Sequence, residues 1–256
     1  MTGFEDLVAN YPHRKHFLQT VNLPAVAPTG QPFLYMKNHK CACTTVIATL
    51  MSLLAKQQGI EENISMASVH TPPKSVLLTG PRGLADASVV AAVNDPNVFK
   101  FSIVRDPVTR TLSAFADKIG SGGKQKTKLM KYLGRPADSN ITLKQFIALL
   151  ASDEGARDLD RHWRSQRLEI AYDHIPFDYI GTVEDIKPAM DHIVRTIFGA
   201  DAVGQVVDTR RSMGHKTSSK DLVATLTDRD MKNLYKAFGP DFEMYETVQA
   251  KLAATQ

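Results

Sequence analysis

The strongest constraint on the fold is a strand-forming run at residues 98–104 that leads directly into a helix start. Valine, isoleucine and phenylalanine dominate this run, as is typical of a buried strand. Asp106 is suited to the N-cap of the following helix and Pro107 to its first position. The buried face of that helix is predicted to carry Val108, Leu112, Phe115 and Ile119. The segment therefore predicts a strand, a tight turn and an amphipathic helix.

Similar strand–helix pairs recur along the chain. Strands are predicted at 33–36, 64–69 and 177–180, followed by helices that begin near residues 44, 86 and 183. Thr44 is expected to cap the first of these helices and Gly59 to end it, and Gly181 is expected to end the last strand. This alternation predicts an α/β fold with a mainly parallel sheet flanked by helices. Ligands of such sheets bind where strands end and helices begin.

The chain of 256 residues is 43% hydrophobic, which is enough for one large domain. Residues 1–30 are polar and contain Pro24 and Pro28, so we expect a lead-in segment there and a single folded core over 31–256. Cys41 and Cys43 are too close for an ordinary disulfide and too few for a zinc site, which favours a reducing compartment. No apolar run approaches the ~20 residues of a membrane span. We therefore expect a soluble, cytoplasmic protein without an integral membrane segment.

Positive charge is concentrated in one part of the chain. The net charge is +4, but residues 100–135 alone hold nine Lys or Arg against two acidic residues. Such a cluster favours an anionic ligand, and nucleic acid, nucleotides and acidic glycans all qualify. The basic run 124–131 within it is typical of a solvated surface, and its functional alternative is a binding surface for an acidic glycan.

The turn at residues 39–45 has the composition of an anion-binding loop. It places Lys40, Thr44 and Thr45 at a predicted helix N-terminus, where unpaired N–H groups attract phosphate or sulfate. The motif G-x-x-x-x-G-K-S/T occurs nowhere in the chain, which disfavours ATP or GTP bound in the usual P-loop manner. A solvent-facing lysine and a plain helix cap are the alternatives for these residues.

A second candidate site joins Arg105 to Ser113, eight residues later. We expect Ser113 on the polar face of its helix, near Arg110 and Asp117, so that an anion at the helix start contacts both Arg105 and Ser113. Arg110 is expected to contact this anion or to pair with an acidic residue of its own helix. The alternative is a surface ion pair at Arg105 and a solvent-facing Ser113.

Taken together, these segments resemble the carbohydrate sulfotransferases that use 3′-phosphoadenosine 5′-phosphosulfate (PAPS), the group of chondroitin, dermatan and uronosyl 2-O-sulfotransferases and bacterial relatives. Residues 39–45 look like that family's 5′-phosphosulfate loop. This chain has His39 at the position before the lysine, where the family usually has a proline. Residues 101–115 are similar almost throughout to its 3′-phosphate segment. The stretches 162–166 and 177–184 resemble its histidine–tryptophan element and the strand after it.

The resemblance implies a P-loop-like α/β fold and sulfuryl transfer from PAPS to a hydroxyl acceptor, with adenosine 3′,5′-bisphosphate as product and no required metal. The acceptor that the resemblance implies is a carbohydrate. No motif of the chain indicates which carbohydrate it is or what the oligomeric state is. It assigns donor binding to Lys40, Cys41, Ala42, Cys43, Thr44 and Thr45 for the 5′-phosphosulfate, Arg105 and Ser113 for the 3′-phosphate, and Lys216 and Thr217 in a basic loop over the nucleotide.

Catalysis by this route needs two further roles. Lys40 is expected to stabilise negative charge as the sulfur–oxygen bond breaks. A general base near neutral pH is expected to deprotonate the acceptor, which points to histidine. His70, at the end of a predicted strand, is the first choice, since the uronosyl enzymes place a histidine base on a comparable strand. His162 is the second, and the structural alternatives are a surface His70 and a His162 that supports Trp163.

Two other functions stay open at this stage. A phosphotransferase with a degenerate P-loop would need a magnesium-binding acid and a glycine-rich phosphate loop, and neither is evident. A nonenzymatic anion-binding or nucleic-acid-binding protein would use the basic stretch alone. Single-strand binding favours aromatic residues among the basic ones, and aromatics form only 7% of the chain, so no nucleic-acid partner is expected.

Overall fold

The computed structural model describes residues 1–60, 69, 77–207 and 222–254. Contacts divide the chain into two units. The first comprises residues 1–38, 42–104 and 168–215, and the second comprises 39–41, 105–167 and 216–256. The single-domain organisation expected from the sequence stays a prediction.

A five-stranded mixed sheet forms the centre of the first unit, in the order β3-β1-β2-β4-β5. Its strands are β1 Val21–Pro24, β2 Phe33–Met36, β3 Leu78–Thr79, β4 Phe99–Val104 and β5 Tyr179–Thr182. Strands β2, β4 and β5 run parallel, whereas β1 is antiparallel to both of its neighbours. Every residue of β2 and β4 is buried, as expected of parallel strands covered on both faces.

Helices account for most of the remaining described residues. In chain order the α-helices are α1 Phe4–Val8, α2 Arg14–Leu18, α3 Cys43–Gln58, α4 Asp86–Asn94, α5 Pro107–Ala114, α6 Lys124–Tyr132, α7 Leu143–Ser152, α8 Glu154–Asp158, α9 Gln166–Glu169, α10 Ile186–Phe198 and α11 Asp228–Ala254. A π-helix, Phe115–Gly120, continues α5, and a short 3₁₀ helix, Ala200–Ala202, follows α10. The predicted α/β fold is confirmed: β2, β4 and β5 form a parallel core, and the antiparallel strand β1 joins it to β3.

The local signals of the central strand–helix unit are confirmed. Strand β4 occupies 99–104, and Asp106 caps α5 by accepting a hydrogen bond from the Thr109 backbone N–H at 2.8 Å. Pro107 is the first residue of that helix. Strand β2 has the predicted bounds, and Gly59 ends α3 in a left-handed conformation.

The expectation that residues 1–30 are only a lead-in was wrong. They form α1, α2 and β1, and β1 lies inside the sheet between β2 and β3. Leu7, Phe17 and Leu18 are buried in this unit. The prediction failed because these elements are four or five residues long, too short to show a clear periodicity, and because Pro24 is tolerated at a strand end.

Two other predicted boundaries were also wrong. Helix α3 begins at Cys43 after the left-handed residue Ala42, so Thr44 lies in its first turn and is not its cap. Gly181 does not end the last strand but lies inside β5, where a side chain would collide with its neighbours. The predicted strand at 64–69 lies outside the described residues except for Val69, which is buried.

The second unit is a helical assembly with its own apolar core. Val108 and Leu112 of α5 and Ile119 of the π-helix join core residues of α6, α7 and α11, as their spacing predicted. Trp163 lies edge-on to Phe146, with ring centres 5.5 Å apart, and its indole N–H donates to the Ala156 carbonyl at 2.9 Å. This core supports the loops that carry the basic residues described below.

The close packing of β5 against α10 leads to a testable expectation. A Cβ on Gly181 would lie 2.7 Å from Ala189 Cβ and 2.9 Å from Ile103 Cδ1. We expect Gly181→Ala to lower the free energy of unfolding by about 1–3 kcal/mol through overpacking. Gly80→Ala is the matched control, since nothing lies within 4 Å of a Cβ there. Urea denaturation of both variants is the measurement, and equal stabilities would contradict this packing.

Candidate active site

Lys40 is held by an ion pair within the second unit. Its backbone is left-handed, with φ of 66°, a strained conformation for a residue other than glycine. Its ammonium Nζ lies 2.9 Å from Oδ2 of Asp117, on the π-helix, and Lys118 Nζ lies 3.0 Å from the same oxygen. Two ammonium groups therefore share one carboxylate oxygen.

The two lysines keep Asp117 ionised. Burial alone would raise the pKa of Asp117, but the hydrogen bonds and charges of Lys40 and Lys118 outweigh it and lower that pKa to about 2. A carboxylate this acidic does not accept protons near neutral pH. It instead supplies a fixed negative charge beside Lys40.

Arg105 lies next to Lys40 in the same unit. Its guanidinium donates to the Lys40 carbonyl at 3.4 Å and to Thr109 Oγ1 at 3.2 Å. Its backbone is held by the Gln166 amide, which accepts from Arg105 N at 3.0 Å and donates to Arg105 O at 2.8 Å. The structure thus brings together two of the basic residues predicted to contact an anion, Lys40 and Arg105.

Arg110 has a different role from the one expected. It is 2% exposed, and it pairs with neither Asp106 nor Asp117. Its guanidinium donates to the backbone carbonyls of three loop residues: His39 at 3.0 Å, Arg164 at 2.7 Å and Arg161 at 3.3 Å. It therefore connects the segment before Lys40 to the segment around His162. Ser113, expected on a polar face, is also buried.

Asp241 supports the Gln166 turn from within the protein. This buried carboxylate accepts hydrogen bonds from Ser165 Oγ at 2.6 Å and from the backbone N–H groups of Gln166 and Arg167 at 2.8 and 3.1 Å. Burial raises the pKa of Asp241, against the lowering effect of the Ser165 hydrogen bond and the Arg110 charge. Since the Gln166 side chain holds Arg105 and also accepts from Cys41 Sγ at 3.2 Å, Asp241 positions both residues indirectly.

Sequence reasoning missed Asp241 and its role. It follows Gly239 and Pro240, which interrupt α11 at a kink where Phe238 leaves helical geometry. A proline inside a helical pattern, followed by an aspartate on the apolar side, was the one available local signal.

His162 pairs with Asp160 through one of its ring nitrogens. Its Nδ1 lies 2.5 Å from Asp160 Oδ1, and its Nε2 has no hydrogen-bond partner among the residues that the structure describes. Burial lowers the pKa of His162, and the charges of Lys118 and Lys40 lower it further, against the opposing effect of Asp160. His162 is therefore neutral near pH 7, with Asp160 accepting from Nδ1–H and Nε2 left as a proton acceptor.

Other predicted site residues are placed less completely. Thr44 and Thr45 lie in the first turn of α3 in the first unit, after Ala42 and Cys43. Cys41 is fully buried, consistent with a small residue inside a loop. His70, Lys216 and Thr217 lie outside the described residues, so their predicted roles stay predictions.

Among the described residues, no three His, Cys, Asp or Glu side chains are grouped so that they could hold a metal ion. No described helix is both long enough and apolar enough to cross a membrane.

Comparison with known proteins identifies the family. Residues 26–246 match the Sulfotransferase family, so the chain belongs to that family, as the motifs at 39–45 and 101–115 predicted. Carbohydrate sulfotransferase 10 of Danio rerio is 23% identical over 224 residues, which are 78% of this chain and 59% of that protein. The chain thus spans less than two thirds of that relative. No solved structure gives a significant match.

The Asp241 network predicts a specific loss of stability. We expect Asp241→Ala to lower the free energy of unfolding by about 2–4 kcal/mol, because it leaves the buried Gln166 N–H and the part-buried donors of Ser165 and Arg167 without their acceptor. Glu246→Ala is the control, since it removes an exposed carboxylate from the same helix. Denaturant midpoints report the difference, and a loss for Asp241→Ala no larger than for the control would show that the network contributes nothing.

Proposed function

We propose that this protein transfers a sulfuryl group from PAPS to a hydroxyl group of a carbohydrate. Family membership supports the reaction class, and the Danio rerio relative, named as a carbohydrate sulfotransferase, supports the acceptor class. The observation that carries the proposal is the hydrogen bond of 3.4 Å from the Arg105 guanidinium to the Lys40 carbonyl. It places side by side the two basic residues whose segments resemble the 3′-phosphate and 5′-phosphosulfate motifs.

The residues take roles that follow from their chemistry. The segment 39–45 binds the 5′-phosphosulfate through Lys40, hydroxyls and backbone N–H groups. Arg105, whose planar fork suits paired phosphate oxygens, binds the 3′-phosphate together with Ser113. Lys216 and Thr217 belong to a loop over the nucleotide, as the resemblance implies.

The reaction is an in-line displacement at sulfur. The acceptor oxygen forms a new bond to sulfur while the bond from sulfur to the 5′-phosphate oxygen breaks, which releases adenosine 3′,5′-bisphosphate. The acceptor proton passes to a histidine, and the Lys40 ammonium stabilises the charge on the departing phosphate oxygen. Because the Lys40 ammonium stabilises this charge, the proposed reaction needs no metal.

His162 is the base that the described residues favour. Asp160 fixes its tautomer, and the neutral Nε2 is suited to accept a proton near pH 7. His70, the first choice from sequence, lies outside the described residues and remains the competing candidate.

One experiment tests the reaction. The purified protein is incubated with PAPS labelled at sulfur, in the presence of EDTA, with separate panels of glycans, lipids, peptides and simple alcohols. Transfer to a glycan supports the proposal, and transfer only to another class corrects the acceptor. Loss of sulfuryl transfer in EDTA that magnesium restores contradicts a mechanism without a metal. Bisphosphate binding without magnesium and without transfer to any acceptor favours a nonenzymatic anion-binding protein.

The 3′-phosphate assignment predicts a selective effect of Arg105. We expect Arg105→Ala to weaken PAPS and adenosine 3′,5′-bisphosphate about 10- to 100-fold, the value of a lost charge-assisted hydrogen bond. Adenosine 5′-phosphosulfate, which lacks the 3′-phosphate, should bind the variant and the native protein alike. Calorimetry on Arg105→Ala and on the exposed control Arg135→Ala checks this, and equal losses for both nucleotides would place Arg105 in folding instead.

The His162 assignment predicts the pH profile. A base must be neutral, so turnover falls as pH drops through its pKa. Burial lowers the pKa of His162, so this acid limb of kcat should lie below the range of an ordinary histidine. Asp160→Asn removes the contact that raises this pKa, so the limb should move to still lower pH while kcat falls. His162→Ala should lower kcat by about 10²–10⁴ with bisphosphate binding unchanged. If His162→Ala keeps full turnover and His70→Ala does not, His70 is the base.

A further inference from the structure

Asp117 has no role in the mechanism above, yet it contacts one of its central groups. The Lys40 and Lys118 ammonium groups lie 2.9 and 3.0 Å from the same oxygen, Asp117 Oδ2. All three side chains are partly buried, with exposures of 17%, 25% and 24%. An ion pair so shielded from water is stronger and less screened by salt than one on an open surface.

The backbone around Asp117 is also unusual. Asp117 lies on the π-helix Phe115–Gly120, and π-helices are rare and often found at functional sites. Its partner Lys40 has the left-handed φ of 66°. Two uncommon backbone conformations, 77 residues apart in sequence, therefore meet in this ion pair.

Asp117 is too acidic to act as a base, so its influence must pass through its charge and its hold on Lys40. Three N–H bonds radiate from an ammonium group, and one directed to Asp117 leaves two for a ligand. A fixed negative charge at this place repels a polyanionic donor. The same charge orients the ammonium, and orientation contributes to the rate only where charge develops in the transition state.

We propose that Asp117 is a positioning residue that holds the Lys40 ammonium for sulfuryl transfer and weakens ground-state binding of the donor in doing so. The inference rests on the proposed function. Lys118 offsets part of the carboxylate charge, so the donor is tolerated beside it. The residue is thus expected to raise kcat and to raise the Kd for PAPS together.

The decisive variant is Asp117→Asn, which keeps the shape and removes the charge. We expect PAPS to bind about 3- to 10-fold more tightly and kcat to fall at least about 10-fold. This combination arises when a variant binds the ground state more tightly but does not bind the transition state more tightly. A residue needed only for folding would weaken binding and turnover together. Asp138→Asn removes an exposed carboxylate of the same unit and should change neither.

A double-mutant cycle shows whether Lys40 is the intermediary. In the Lys40→Met background, Asp117→Asn should change kcat by less than about twofold, since no ammonium remains to be held. The full loss of kcat in that background would overturn the proposal. So would unchanged or weaker PAPS binding by the single variant.

Two controls keep the result interpretable. Asp117→Glu retains the charge and displaces it by one methylene, so its PAPS affinity should stay near that of the native protein while kcat falls; this variant serves if Asp117→Asn folds poorly. A tighter PAPS complex for Asp117→Glu would overturn the role of charge. If the native protein binds no PAPS, the proposed function fails; if it binds PAPS and Asp117→Asn changes nothing, only this inference fails.

Discussion

The basic site of the second unit depends on the hydrogen bonds that the buried Arg110 guanidinium donates to backbone carbonyls. Its donors satisfy carbonyls of His39, Arg161 and Arg164, so a single side chain joins the segment before Lys40 to the one that carries His162. Arginine suits this task because its rigid fork reaches several acceptors at once, which a lysine ammonium does with less geometric definition. The charge is tolerated because the buried carboxylate of Asp241 interacts with it.

Further hydrogen bonds connect this region to Arg105 and Lys40. Asp241 orders the turn at Gln166, and the Gln166 amide then fixes the backbone of Arg105. Arg105 in turn contacts the carbonyl of Lys40. Functional groups held through such a chain lose little additional freedom when an anion binds, which is the physical basis of a preorganised site.

The electrostatics of the unit are less uniformly positive than its composition indicates. Three basic groups near the proposed chemistry have an acidic neighbour: Asp117 lies beside Lys40 and Lys118, and Asp160 lies beside His162. Counting charges along residues 100–135 predicted an anion site but not these carboxylate partners. Without them, uncompensated cations would be costly to bury together.

Local sequence determined the parts of the fold that depend on neighbouring residues. Strands β2 and β4, the Asp106 cap with Pro107, the Gly59 helix end and the apolar face of α5 could all be predicted, because side-chain periodicity and capping act over a few residues. The motifs around Lys40 and Arg105 also indicated the family correctly.

Tertiary structure alone decided what lies far apart in the chain. The insertion of β1 into the sheet, the burial of Arg110 and Ser113, and the Lys40–Asp117 pair, separated by 77 residues, have no local signal. The reason is physical: a polar side chain has the same local preferences whether it ends in water or in a buried hydrogen bond, and only the packed core determines which occurs. The sequence thus predicted which residues bind an anion, and the fold determined how Lys40 and Arg105 are held.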